Sequence, residues 1–286
     1  NHEIDKDSLE IKYKKNNRVL DYYHTKEDYG IKPLIKRYTF VDNSFTNEVN
    51  KHTDYGIVFS PTTVGWYNYI HNFPMQMICM EKCDGTLDEL FVNDEVSVDN
   101  GASYLFQVIM ILFAYQKAFQ FTHNDLHTNN IMYVKTDKPF LYYKHAGQTY
   151  KVPSHGRIMK MIDFGRAIYK YKGKTFCSDS FAPDGDATTQ YNMEPFFNEN
   201  RPRLEPNNSF DLCRLGSSMF DFVLDIDDNI DEMDDLQKTI ARWCMDDNGK
   251  NILYKKNGEE RYPSFKLYKM IARTVHNHTP EHQLNE

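Results

Sequence analysis

His123-Asn124-Asp125-Leu126-His127-Thr128-Asn129-Asn130 is followed further along the chain by Asp163-Phe164-Gly165. Each lies against an apolar run. Ile131 to Val134 follows the first, and Ile158 to Ile162 leads into the second. Short apolar runs bounded by polar turns predict buried strands. Between them, residues 135–157 predict an inserted surface hairpin. Phe140-Leu141-Tyr142-Tyr143 forms one arm, His145-Ala146-Gly147 the turn, and Thr149 to Val152 the other arm.

The side chains at these strand ends suit one chemistry. Asn130 and Asp163 offer hard oxygen atoms of the kind Mg²⁺ takes. Asp125, five positions before Asn130, offers an acceptor for a hydroxyl proton. In this order and spacing the motifs resemble the catalytic loop and metal-binding triplet of the protein-kinase superfamily. The resemblance implies ATP as phosphoryl donor and Mg²⁺ (or Mn²⁺) held by Asn130 and Asp163, with Asp125 as the catalytic carboxylate. His127 stands where serine/threonine kinases commonly carry a lysine near the transferred phosphate; a histidine also occurs there in haspin-like and several atypical kinases. Asn124 replaces the usual arginine, so a phosphate on the following segment loses a bidentate partner. That segment is expected to be held instead by packing of Phe176, Phe181 and Tyr191.

Further residues fit the same pattern. Met75 to Gly85 (MQMICMEKCDG) reads as an apolar strand broken at Asp84-Gly85. The strand itself is Met75 to Met80, running into Glu81-Lys82-Cys83-Asp84-Gly85; this resembles the hinge between kinase lobes, with Met80 as gatekeeper and Glu81 and Cys83 beside the adenine edge. Ile31 to Phe40 reads as a strand, on which Pro33-Leu34-Ile35-Lys36 resembles the signature of the phosphate-gripping lysine. Lys36 is the first choice and Lys32 its rival. Asn43-Ser44 offers a cap for a helix over 45–52 that carries Glu48, the implied partner of that lysine. Asp211-Leu212-Cys213-Arg214-Leu215-Gly216 opens a helix to Leu224 and resembles the aspartate helix that braces the catalytic loop. Two features depart from the family. Tyr13 to Tyr29 contains no glycine, so no glycine-rich phosphate loop is recognisable. Met193-Glu194-Pro195 is the nearest substitute for an Ala-Pro-Glu ending.

The implied architecture is α+β and bilobal. A small β-rich N-lobe with the hinge is expected over 1–83, and a larger, mainly helical C-lobe over 84–286. The resemblance covers roughly residues 30–275 and is strongest to divergent serine/threonine kinases of large (giant) DNA viruses. It implies transfer of the γ-phosphate to Ser/Thr hydroxyls of a protein substrate, with a regulatory protein partner possible. It also implies an intracellular setting, in the host cytoplasm or a virion. Two alternatives stay open: a small-molecule kinase of the choline or aminoglycoside type, and a catalytically weak pseudokinase scaffold.

Composition narrows the remaining classes. Of 286 residues, 40% are apolar and 26% charged, with a net charge of −7. The chain can bury a sizeable core and carries no basic run of the kind that tracks nucleic-acid phosphates. Five cysteines, none in a CxxC pair, suit a reduced setting. Ala102 to Phe121 is apolar but interrupted by Gln107, Gln116, Lys117 and Gln120, and reads as a buried helix rather than a membrane span. No secretory signal is visible, and the opening at Asn1 reads as that of a fragment. The acidic residues of 225–235 lack the glycine and glutamate of a calcium loop and read as solvated. Residues 166–209 read mostly as loop. His276, His278 and His282 read as a frayed end.

Overall fold

The computed structural model describes the backbone of residues 10–14, 19–24, 34–39, 57–62 and 65–71, and residues 80–225 and 232–285 with their side chains. The fold is mixed α and β. The chain divides into two compact units, Asn1–Met80 and Glu81–Glu286.

The first unit holds one antiparallel sheet of β1 (Glu10–Lys14), β2 (Val19–His24), β3 (Leu34–Thr39), β4 (Ile57–Thr62) and β5 (Gly65–His71), in the order β3-β2-β1-β5-β4. Aromatic and β-branched residues dominate these strands, as pleated surfaces favour. Pro61 sits on β4, an edge strand, where its missing N–H leaves no central ladder bond unmade. Lys36 lies on β3, in register with Tyr22 of β2. Lys32, the expected helix over 45–52 with Glu48, and Met75 to Cys79 lie outside the described residues. Met80 is described. It stands outside any strand and is 74% exposed.

The second unit is built on α2 (Val98–Phe119), which follows the short β6 (Gly85–Thr86) and α1 (Leu87–Val92). Each helix opens on a reciprocal cap. Thr86 Oγ1 accepts from the Glu89 amide while Glu89 accepts from the Thr86 amide, and Ser97 and Asn100 do the same for α2. That cap starts α2 four residues before the apolar run seen in the sequence, and left-handed Gln120 (φ 47°) ends it. Tyr104, Val108 and Leu112 are fully buried on α2. Burial of each such side chain contributes roughly 1.5–3 kcal/mol. Gln107, also buried, accepts from the Met159 amide (2.9 Å) and donates to the Arg157 carbonyl (3.3 Å). Among the described residues α2 is the one helix long and apolar enough to cross a membrane by length and composition, and 56% of that stretch is buried within the fold.

Against α2 lies a three-stranded sheet, β10-β7-β6, of β7 (Ile131–Lys135) and β10 (Arg157–Met161) with β6. The link from β7 to β10 is the expected hairpin, β8 (Phe140–His145) paired with β9 (Gln148–Pro153). Its turn has positive φ at Ala146 (48°) and Gly147 (80°), the two-residue geometry whose twist matches the strands. Tyr143 and Tyr150 both pack on Phe106 of α2, at 5.8 and 5.2 Å between ring centroids, and Tyr142 is exposed.

The remaining helices are α3 (Phe210–Val223), α4 (Asp235–Trp243), α5 (Lys266–Thr274) and α6 (Pro280–Gln283). Gly216 lets α3 meet α4 closely: a Cβ there would lie 3.0 Å from the Trp243 Cβ. The segment 166–209 is mostly loop, as expected, and carries one short hairpin, β11 (Ile168–Tyr171) and β12 (Lys174–Cys177), turned at Lys172-Gly173 with positive φ at both. One expectation is corrected. The C-terminal end is anchored rather than frayed. His278 is buried and meets the Met245 carbonyl through Nε2 at 2.9 Å, and buried Trp243 donates to Gln283 at 2.7 Å.

Candidate active site

The loop from His123 to Asn130 is fixed from below by a buried carboxylate. Asp211, on the first turn of α3, accepts from the amides of His123 (2.8 Å) and Asn124 (2.9 Å). Its burial raises its pKa, and the two amide bonds oppose that rise. His123 carries the restraint upward. Its Nε2 meets the Ile162 carbonyl at 2.8 Å, and the Asp125 amide donates to its Nδ1 at 3.3 Å. The neutral ring with the proton on Nε2 satisfies both contacts. Leu126, fully buried, pins the centre of the loop into the core.

Asn130 and Asp163 are brought together by strand pairing. Ile131 and Met161 are register partners, and the Ile162 amide donates to the Asn130 carbonyl at 3.0 Å. Asn130 Nδ2 donates to the Asp125 carbonyl at 2.9 Å, which leaves Oδ1 as the atom open to a cation. Asp163 adopts a left-handed backbone (φ 63°), a conformation that Asp tolerates better than most residues. Its Oδ1 also accepts from the Gly165 amide at 3.3 Å. Phe164 packs against His123 with its ring tilted, centroids 5.6 Å apart. Two hard oxygen donors on backbone segments paired in this way are of the kind Mg²⁺ takes, with phosphate and water completing its shell. Among the described residues no group of three or more His, Cys, Asp or Glu side chains is placed to hold a metal by itself.

Asp125 is half-buried. Its Oδ1 accepts from the Tyr268 hydroxyl at 2.7 Å, and its Oδ2 lies 3.7 Å from Arg166 Nη1. His127 is half-buried, and desolvation with the nearby Arg214 charge lowers its pKa below 6.5. Thr128 closes the loop: its hydroxyl donates to Asp88 Oδ1, and its amide donates to Ser218 Oγ at 3.1 Å. Glu81 and Cys83 lie in an irregular stretch before β6, and the exposed Glu81 carboxylate pairs with Lys160 at 2.9 Å. Asp125, His127, Asn130 and Asp163 are therefore gathered at one end of the β7–β10 pair. Lys36 is placed only by its register on β3, and Glu48 lies outside the described residues.

Five residues of this site were not singled out from the sequence as its members: Tyr268, Arg166, Arg214, Ser218 and Asp88. A further cleft of about 680 Å³, lined by Phe181, Tyr191, Arg201, Leu204 and Arg273, lies beside the segment after Gly165 and contains none of the expected site residues.

No family model matches the chain. Over 96 residues, 32% of its length, the chain is 31% identical to the serine/threonine-protein kinase haspin of Mus musculus. The matched stretch covers 13% of that protein. The similarity indicates a kinase-like relationship.

Proposed function

We propose that the chain is an ATP-dependent protein kinase that transfers the γ-phosphate to Ser or Thr hydroxyls, with a two-lobed kinase fold. The observation that carries this reading is the joint placement of Asp125, Asn130 and Asp163, locked by Asp211 and by the Ile162–Asn130 backbone bond. The partial similarity to haspin supports it.

On this reading Asp125 orients the acceptor hydroxyl and takes its proton. Asn130 and Asp163 would hold the divalent cation, which neutralises charge on the donor phosphates when bound. His127, uncharged near neutral pH, donates a hydrogen bond toward the transferred group rather than a full charge. Lys36 would grip the donor phosphates with Glu48 as its partner. Met80, Glu81 and Cys83 would contact the adenine.

A second reading, the catalytically weak scaffold, draws on one observation. The sequence between β1 and β2, Lys15-Asn16-Asn17-Arg18, contains no glycine, the residue that best lets backbone amides approach phosphates. Incubation with Mg²⁺ and γ-labelled ATP separates the readings, with mixed proteins in one arm and small amino alcohols in another. Label on Ser or Thr supports the first. Label on the small alcohols points to a small-molecule kinase, and nucleotide binding without transfer points to the scaffold.

A further inference from the structure

A catalytic carboxylate works only if one oxygen is held toward the acceptor. Tyr268 donates its hydroxyl to Asp125 Oδ1 at 2.7 Å, although it lies 143 residues further along the chain. The ring that carries this hydroxyl is closely held. It stacks on Phe265 with centroids 5.1 Å apart and planes at 19°, and it approaches Phe210 at 6.3 Å. The Arg214 guanidinium lies over it at 5.0 Å from the centroid. Its helix, α5, is rooted in the core through Ile271 and Ala272, both fully buried.

We propose that Tyr268 is a positioning residue for phosphoryl transfer, anchoring Asp125 Oδ1 so that Oδ2 is the oxygen presented to the acceptor hydroxyl. This rests on the kinase reading above. Arg166 Nη1 stands 3.7 Å from Oδ2, too far for a short hydrogen bond that would occupy that oxygen. Burial, and then the bond to Asp125, push the phenol above its ordinary pKa against the pull of Arg214, so it remains a donor at neutral pH. The contrary idea is that the phenol stands in the acceptor's place and blocks it. A blocking group needs a segment that can leave. Tyr268 is instead fixed by stacking, a cation–π contact and a core helix.

The test uses the full chain, Mg²⁺–ATP and a Ser-containing peptide that accepts label. Four proteins are compared at a temperature where circular dichroism shows all of them folded: wild type, Tyr268→Phe, Asp125→Asn and the double variant. Phenylalanine keeps the stacking volume and removes only the donor. Tyr268→Phe is expected to lower kcat about tenfold, the usual scale for a hydrogen bond to a charged group, with KM for ATP within about twofold. In the Asp125→Asn background the same change is expected to alter the residual rate less than about twofold, because its effect runs through Asp125. Wild-type or higher kcat in Tyr268→Phe overturns the proposal, the higher value favouring a block. Equal fractional losses in both backgrounds also overturn it, since a general structural role would act in both. If the wild-type chain shows no Asp125-dependent transfer, the kinase reading fails first and Tyr268's role fails with it.

Discussion

Tyr191 donates a 2.6 Å hydrogen bond to Asn124 Oδ1, and the Asn124 amide group donates in turn to the carbonyls of Thr122 and Arg166. The residue just before Asp125 is thus a buried neutral clamp between the His123–Asn130 loop and the segment beyond Gly165. The Tyr191 ring packs between Phe181 (5.6 Å) and Phe210 (6.2 Å). Phe176, also expected to hold this segment, is exposed and stacks on Tyr169 within the β11–β12 hairpin.

This clamp needs no phosphate. Complete phosphatase treatment is expected to leave activity within about twofold, with sites mapped by mass spectrometry. Tyr191→Phe strands a buried amide oxygen and is expected to cost about 1–3 kcal/mol of stability, read from denaturant unfolding. A large reversible loss of activity tracking Thr175, Ser178, Ser180, Thr188 or Thr189 would contradict the clamp.

Asp211 is the residue on which the loop rests. Asp211→Ala leaves the amides of His123 and Asn124 without their acceptor in the core, and each stranded donor costs about 1–3 kcal/mol. The variant is expected to unfold at clearly lower denaturant concentration and to lose activity. Asp211→Asn keeps one acceptor and should lie between the two.

His127 supplies a pH dependence with a definite sign. Its folded-state pKa is depressed, by burial first and then by Arg214. The folded chain therefore takes up this proton less readily than the unfolded chain does. The resulting stability is present above about pH 6.5 and is lost as pH falls through the depressed folded value. His127→Gln removes this contribution, so its stability should fall less steeply than that of the wild type below pH 6.5. An imidazole NMR titration with its midpoint at or above 6.5 would refute the assignment.

The hairpin of β8 and β9 rests on Phe106 through Tyr143 and Tyr150, away from Asp125, Asn130 and Asp163 in every contact described. Replacing Phe140–Pro153 with a short Gly-Ser link is expected to lower Tm by a few degrees through exposure of Phe106. Nucleotide affinity should stay within about threefold, since the effects of separate sites add independently. Loss of nucleotide binding would tie the hairpin to the site.

The parts legible in the sequence are those whose information is local. Asp125, Asn130 and Asp163 are spaced by a loop and by β7 and β10 with the hairpin between them, and Ala146-Gly147 carries its own turn geometry. The start of α2 escaped because its signal is the polar cap Ser97, outside the apolar run. Tyr268 escaped for a deeper reason. Its partner is 143 residues away, and nothing in Lys266–Thr274 distinguishes a tyrosine that faces a carboxylate from one that fills a core. The anchored C-terminus rests on the same kind of distant pair, Trp243 with Gln283. Histidine spacing alone does not reveal it.

The most direct test of the central claim is label transfer from γ-labelled ATP by Asp163→Asn, compared with the wild type at equal, folded protein concentration. The substitution removes the charge from one of the two proposed metal-binding oxygen donors at nearly constant volume, and Asp163 is exposed, so the fold should be preserved. The account predicts Mg²⁺-dependent transfer in the wild type and a loss of at least about a hundredfold in the variant, with Tm unchanged within a few degrees. Wild-type turnover in Asp163→Asn would contradict it.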